Sequence, residues 1–197
     1  MKTDIILAGV GGQGILSIAA IVGAAAIEKG LYLKQAETHG MSQRGGAVVS
    51  NLRIADYPIA SDLIPLGGGD VILSVEPMES LRYLPWLSKN GWLVSNSTTF
   101  VNIPDYPDFA EIEKEINKLP HAVLLDADKI AKDLGNPRGS NMVMLGAASS
   151  FLHFTDEEME KAIAAIFQRK GKEVVELNIK AYRAGRSVSK KLIRIDF

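Results

Sequence analysis

Cysteine is absent from this 197-residue chain. That gap removes thiolate-held zinc, iron–sulfur clusters and disulfides from the chain's own chemistry. Histidine is nearly as scarce: only His39, His121 and His153 occur, and no two of them have the spacing of metal ligands. A protein-built metal site is therefore not expected. Nor does either sign of charge dominate, since 22 basic against 23 acidic residues leave a net charge of −1. No global field draws the chain to nucleic acid or to acidic membranes. A local basic run (Arg183, Arg186, Lys190, Lys191, Arg194) reads as a solvated helix face. The longest apolar run, Ile15 to Ile27, is interrupted by Ser17 and Gly23 and is too short to span a bilayer. Met1-Lys2-Thr3-Asp4 leads directly into an apolar strand, with no room for a secretory leader, so a soluble cytoplasmic protein is expected. The G-x-S-x-G of a nucleophile elbow is missing, and so is the G-K-[ST] that completes a phosphate-binding loop.

What is present is a regular alternation of short apolar runs and helical segments. Runs at 5–8, 31–36, 47–54, 71–75, 92–95 and 122–125 predict strands. Helices are predicted at 15–29, from Glu76-Pro77 to about residue 87, and at 109–119, 129–134, 141–154 and 156–170. A last helix, capped by Asn178, is predicted to run to about residue 192. Thr155 with Glu158 three residues on is a capping box. Asn141 is expected to cap the helix that carries Met142, Met144 and Leu145. This pattern predicts one α/β domain over residues 1–197. Its three layers are a parallel-dominated or mixed sheet with helices on both faces, plus a helical C-terminal third.

Two glycine-rich turns follow predicted strands: Gly9-Val10-Gly11-Gly12-Gln13-Gly14, and Glu37-Thr38-His39-Gly40-Met41-Ser42-Gln43-Arg44-Gly45-Gly46. With Glu76 to Met78, Asn96 to Thr99 and Asp126 to Asp128 they are expected to gather on one rim, at the carboxyl ends of the strands. The first turn matches G-x-G-x-x-G, and Glu37 follows it at the end of the second strand, which keeps a dinucleotide-binding reading open. Against that reading, the second strand leads into a polar loop and then a strand, with no crossover helix. Arg44 is suited to a bidentate carboxylate or phosphate, or equally to a rim acid such as Glu37 or Glu76. His39 has no evident catalytic partner and reads as a loop hydrogen-bonder. Glu76 and Glu79 flank a helix start, where carboxylates cap and gain from the dipole. No complete catalytic set is visible among these residues.

The two turns together, with Ala60 to Pro65, Asp70, Glu76-Pro77-Met78-Glu79 and Asn141 to Ala147, resemble the gamma-type subunit or domain of 2-oxoacid:ferredoxin oxidoreductases. Within that family the likeness is greatest to the beta subunit of the indolepyruvate branch, and it runs from about residue 3 onward. The resemblance implies oxidative decarboxylation of an aryl-pyruvate with coenzyme A, giving an acyl-CoA, carbon dioxide and reduced ferredoxin. It places thiamine diphosphate, magnesium and the Fe–S clusters on a partner subunit. The absence of cysteine, and of the Gly-Asp-Gly segment that holds thiamine diphosphate, agrees with that division. This chain would then bind no cofactor alone. Gly9, Gly11, Gly12, Gln13, Gly14, Glu37, His39, Gln43, Arg44, Gly45, Gly46 and Glu76 are the expected interface or substrate/CoA rim, with no catalytic residue among them. A self-sufficient nucleotide-binding oxidoreductase and a pure assembly subunit are the alternatives.

Overall fold

At the centre of the molecule lies β1 (Lys2–Val10), buried from its second residue to its last, as a strand covered on both faces must be. The computed structural model describes residues 1–40 and 45–195. Six strands form one sheet in the order β2-β3-β1-β4-β5-β6. The others are β2 (Tyr32–His39), β3 (Ala47–Ala55), β4 (Gly69–Ser74), β5 (Leu87–Asn96) and β6 (Ala122–Leu125). β1, β4, β5 and β6 are mutually parallel, while β3 runs antiparallel to both neighbours, β1 and β2. The sheet is thus mixed, and β2 points the same way as β1 from one strand further out.

Successive side chains of a strand face opposite ways, and β1 feeds two cores in turn. Ile5 and Leu7 join the larger core, built with α1 (Ile15–Glu28), α4 (Ala127–Asp133), α5 (Ser140–Ala148), α6 (Asp156–Phe167) and α7 (Lys172–Ile195). Ile6 joins Ile72 and Leu93 in a smaller core closed by Ile112 and Ile116 of α3 (Phe109–Ile116). Met78 and Leu81 of α2 (Pro77–Arg82) pack against that same cluster. Helices therefore cover both faces, in the three layers expected, and the larger layer contains the helix-rich C-terminal third.

α5 lies inside that layer with every residue from Asn141 to Ala148 buried. α7 crosses it at backbone contact: a Cβ on Gly146 would stand 1.9 Å from the Tyr182 carbonyl oxygen, and one on Gly185 would stand 1.8 Å from that of Val143. The capping box forms as predicted, with Thr155 and Glu158 each accepting the other's backbone N–H.

Several boundaries differ from the sequence expectation. α7 starts at Lys172, not at a cap on Asn178. Asn178 lies inside the helix and donates to the Val174 carbonyl at 2.7 Å, an i−4 bond that a local reading mistakes for a cap. Asn141 is likewise no N-cap, for Gly139 holds that position. α2 stops at Arg82 rather than near residue 87; a 3-10 turn over Leu84–Trp86, carrying Pro85, leads straight into β5. The helix expected to residue 154 ends at Ala148 and tightens into a 3-10 turn over Ser149–Phe151.

Candidate functional site

The expected rim exists, and hydrogen bonds stitch it together. The Gly11 N–H donates to the Gly46 carbonyl at 2.9 Å, which joins the two glycine turns directly. Asn102 Nδ2 donates to the Gly45 carbonyl at 2.7 Å. The Val75 carbonyl accepts from Gln13 Nε2 at 3.4 Å and from Asn96 Nδ2 at 3.3 Å. Asn96 Oδ1 in turn accepts the Ala127 N–H at 3.0 Å, and Asp126 caps α4 through the Lys129 N–H at 2.8 Å. All five loops at the carboxyl ends of the parallel strands are tied into one surface.

Gln13 spends both ends of its amide within the protein, since its Oε1 also accepts the Val10 N–H at 2.8 Å. It shapes the turn. Gly14 supplies the left-handed residue, at φ 84°, from which α1 departs. Against it lies Asn141, whose Nδ2 donates to the Gly14 carbonyl at 3.2 Å. A Cβ on Gly14 would come within 2.4 Å of that nitrogen, so glycine is required here on two counts.

Glu76 is a buried N-cap, only 1% exposed. Its Oε2 accepts the Glu79 N–H at 2.8 Å, while Oε1 accepts the Phe100 N–H at 3.2 Å and the Tyr106 hydroxyl. Burial, with the Glu76 carboxylate second, pushes the Tyr106 phenol well above its ordinary value. The carboxylate thereby pins the 97–106 segment to the start of α2. Glu79 is equally buried and takes a fork from Arg82, Nε to Oε2 at 2.9 Å and Nη2 to Oε1 at 3.2 Å. The pinned segment holds large apolar side chains in water, with Phe100 42%, Val101 69% and Ile103 42% exposed. Leu16, on the first turn of α1, is 54% exposed.

A cleft of about 270 Å³ opens at the glycine turns, lined by Val10, Gly11, Gly12, Ile15, Leu16 and His39 among others. Its described walls are apolar apart from His39 and backbone. His39 does have a neighbour that the linear reading missed. Residues two apart on a strand share a face, and Glu37 Oε1 lies 2.5 Å from His39 Nε2. Gln43 and Arg44 lie outside the described residues, so their expected roles have no geometry here. Gly9 carries the close packing of the turn, where a Cβ would meet Val75 Cγ2 at 2.4 Å. In the C-terminal basic run, Arg183 forks onto Glu160 and Arg186 pairs with Asp156, while Lys190 and Lys191 are exposed.

The dinucleotide reading fails on topology. In such folds the acid that reads the ribose ends the parallel strand beside β1. Here β3 fills that place and Glu37 is displaced to the sheet edge, roughly 10 Å away at the usual strand spacing. Asn102 and Tyr106 are rim-builders that the sequence reading did not single out, although the polar, turn-rich composition of 97–108 was an available signal; Asn141, read from sequence as a helix cap, is a third.

Residues 4–188 match the pyruvate ferredoxin/flavodoxin oxidoreductase family. The indolepyruvate oxidoreductase subunit IorB of Archaeoglobus fulgidus is 37% identical, over 94% of this chain and 94% of that one. The keto/oxoacid ferredoxin oxidoreductase gamma subunit of Geobacter sulfurreducens superposes with a TM-score of 0.68 at 26% identity, covering 96% of this chain and 99% of that one. A 2-oxoglutarate:ferredoxin oxidoreductase chain from Magnetococcus marinus shares the fold, with a TM-score of 0.76 at 21% identity. That match takes in 96% of this chain but only 31% of the longer one. The chain belongs to the pyruvate ferredoxin/flavodoxin oxidoreductase family and is similar to the gamma-type subunits or domains of such enzymes. No described helix is long and apolar enough to cross a membrane.

Proposed function

We propose that this chain is the cofactor-free subunit of a cytoplasmic indolepyruvate:ferredoxin oxidoreductase, and that its glycine rim is the face it offers to the catalytic subunit. In that reading the partner carries thiamine diphosphate, magnesium and the Fe–S clusters. The assembled enzyme converts an aryl-pyruvate, coenzyme A and oxidised ferredoxin into an acyl-CoA, carbon dioxide and reduced ferredoxin. A chain without cysteine has no thiolate for a cluster, so electrons pass through the partner. The identity to the Archaeoglobus subunit favours an aryl-pyruvate over other 2-oxoacids.

The observation that carries the interface reading is the combination found at the rim. Leu16, Phe100, Val101 and Ile103 stand in water on a surface held rigid by Glu76, Gln13, Asn96 and Asn102. Exposed apolar groups grouped on a pre-ordered surface mark association sites. Gly11, Gly12, Gly45 and Gly46 let a partner or a ligand approach the backbone closely, Gly9 and Gly14 shape the turn that presents them, and Glu37 and His39 border the cleft. Gln43 and Arg44 share the loop and are assigned to the same face from sequence alone.

The test is reconstitution. The purified chain is mixed with a purified catalytic subunit, and ferredoxin reduction is followed with indolepyruvate and coenzyme A. Neither component alone should turn over, and the mixture should. Val101→Asp should raise the concentration of this chain needed for half-maximal activity by tenfold or more, with its own thermal unfolding unchanged. Ketoacid oxidation by this chain alone, or a Val101→Asp variant that assembles as well as the parent, would refute the reading.

A further inference from the structure

The outermost strand of the sheet, β2, has a partner on one side only. All 8 of its residues pair with β3 in unbroken antiparallel register, from Tyr32 opposite Ala55 to His39 opposite Val48. The Gly40 N–H donates to the Ala47 carbonyl at 3.0 Å, one step further along the same ladder. Alternate residues of an antiparallel strand bond to opposite sides, so Tyr32, Lys34, Ala36 and Thr38 spend their backbone groups on β3. Those of Leu33, Gln35, Glu37 and His39 turn outward, and among the described residues none bonds to them. Proteins blunt such an edge with proline, a bulge, a free lysine or a covering segment. β2 has no proline and no bulge, and its one lysine, Lys34, is held to the Ala60 carbonyl at 3.1 Å. Beside the edge, α1 turns an apolar face to water. Ala20 is exposed, Ala24 half-buried and Ile27 67% exposed, and the helix has no charged residue before Glu28. Gly23, next to that face, packs on β2, where a Cβ would lie 3.1 Å from Leu33 Cδ2. A helix that is apolar all round is one that further structure covers.

We infer that a second copy of this chain pairs with the outer edge of β2, antiparallel about a twofold axis, so that the two sheets run on as one. The strand complements itself best with Ala36 opposite Ala36 of the second copy. Gln35 then faces Glu37, an amide beside a carboxylate, and Lys34 faces Thr38. Leu33 faces His39, and Tyr32 faces Gly40, which has no side chain to obstruct the ring. The Ala36 pair is of the non-hydrogen-bonded kind, where side chains stand closest, and alanine fits there. Moving the axis to Glu37 would set two carboxylates face to face, which is destabilising. Moving it to Gln35 would set Leu33 against the Glu37 carboxylate. The outward face of α1 in each copy lies beside the seam on the same side of the joined sheet. Its apolar surface adds to that of the strands toward the ~800 Å² per partner of a stable interface. Antiparallel pairing sends the two glycine rims to opposite ends, so this contact goes beyond the proposed rim interface and leaves each rim open.

Light scattering on the full chain as it leaves a size-exclusion column, with no catalytic subunit present, tests the inference apart from the rim reading. Twice the mass of one chain at micromolar concentration is the expected result. Gln35→Pro removes an outward N–H and spares the ladder to β3. It should move the dimer–monomer midpoint to at least tenfold higher concentration while the circular-dichroism melt stays in place. Because the chain has no cysteine, a single introduced thiol reads the register. Ala36→Cys should oxidise to a covalent dimer, since Cα atoms of a non-hydrogen-bonded pair lie ~4.5 Å apart, within disulfide reach. Tyr32→Cys should not, its counterpart being ~27 Å away along the seam at the rise of a strand. A monomer at every concentration, a dimer unaffected by Gln35→Pro, or equal crosslinking by the two cysteine variants would overturn the inference. A monomer whose Gln35→Pro variant binds the catalytic subunit less tightly would hand the edge to that partner and overturn it equally.

Discussion

Asn141 donates its side-chain amide to the carbonyl of Gly14 across 127 residues of sequence. This bond fixes the first glycine turn to the buried helix α5, so that the candidate cleft and the larger core share a wall. The turn is shaped by a neighbour that local sequence does not contain.

Gly14→Ala should therefore destabilise the fold by about 2–3 kcal/mol, combining a left-handed alanine with a clash at Asn141. Asn141→Ala alone should cost about 1 kcal/mol, the usual worth of one hydrogen bond. In the double variant the clash has no partner, so its cost should fall short of the sum by about 1 kcal/mol. Urea unfolding of the four proteins reads this directly, and strict additivity would show that the two positions do not press on each other.

The contact between α5 and α7 makes a stronger demand. With carbonyl oxygens 1.9 Å and 1.8 Å from the ideal Cβ positions, Gly146→Ala and Gly185→Ala force the helices apart instead of filling a gap. Each should cost at least about 3 kcal/mol, the upper range for overpacking because backbone cannot rotate away. Lower midpoints in urea for both variants, against a smaller loss for Gly30→Ala where no atom lies within 4 Å of the added Cβ, would separate crowding from the mere loss of glycine. The left-handed φ of 72° at Gly30 sets the cost of that control at about 1 kcal/mol.

Much of the layered architecture was legible because strands buried on both faces leave continuous apolar runs. Ile5 to Ala8 and Val71 to Leu73 are such runs, and both lie in the sheet. The shared rim followed from the rule that parallel strands deliver their loops to one edge, and the Gly11–Gly46 bond confirms it. Partners chosen by tertiary packing were not legible. Asn178 and Asn141 both carry a residue type common at caps. One instead bonds back within its own helix, and the other reaches a distant turn. Tyr106 gave no sign of Glu76, which lies 30 positions away. The His39–Glu37 contact is local and legible from the period-two spacing of β2, which a reading of His39 as a loop residue hides.

Near the amino end of β1, away from the rim, Asp4 is 1% exposed and receives Arg53 Nε at 2.8 Å and Nη2 at 3.0 Å. Burial would raise the Asp4 pKa, yet the Arg53 and Lys2 hydrogen bonds outweigh it, and the carboxyl lies below its usual value. The unfolded chain, at about 3.9, therefore binds the proton first. The pair's contribution is complete above that value and is lost as pH falls through the depressed folded value. Asp4→Asn should cost about 3 kcal/mol at pH 7, since it leaves Arg53 without its carboxylate. The gap between wild type and variant should narrow steadily below about pH 4. Stability measured against pH for the two proteins would show parallel curves if Asp4 did not titrate this way.

Because every residue of α5 from Met142 to Ala148 is buried, the helix has no side on which to rest by itself. Its seat is assembled from strands and helices that precede it and from α7, which follows. During synthesis the segment waits, apolar and uncovered, until Lys172–Ile195 has emerged to close over it. For this protein the passage from a nascent chain to a sealed interior is governed by the arrival of one late helix.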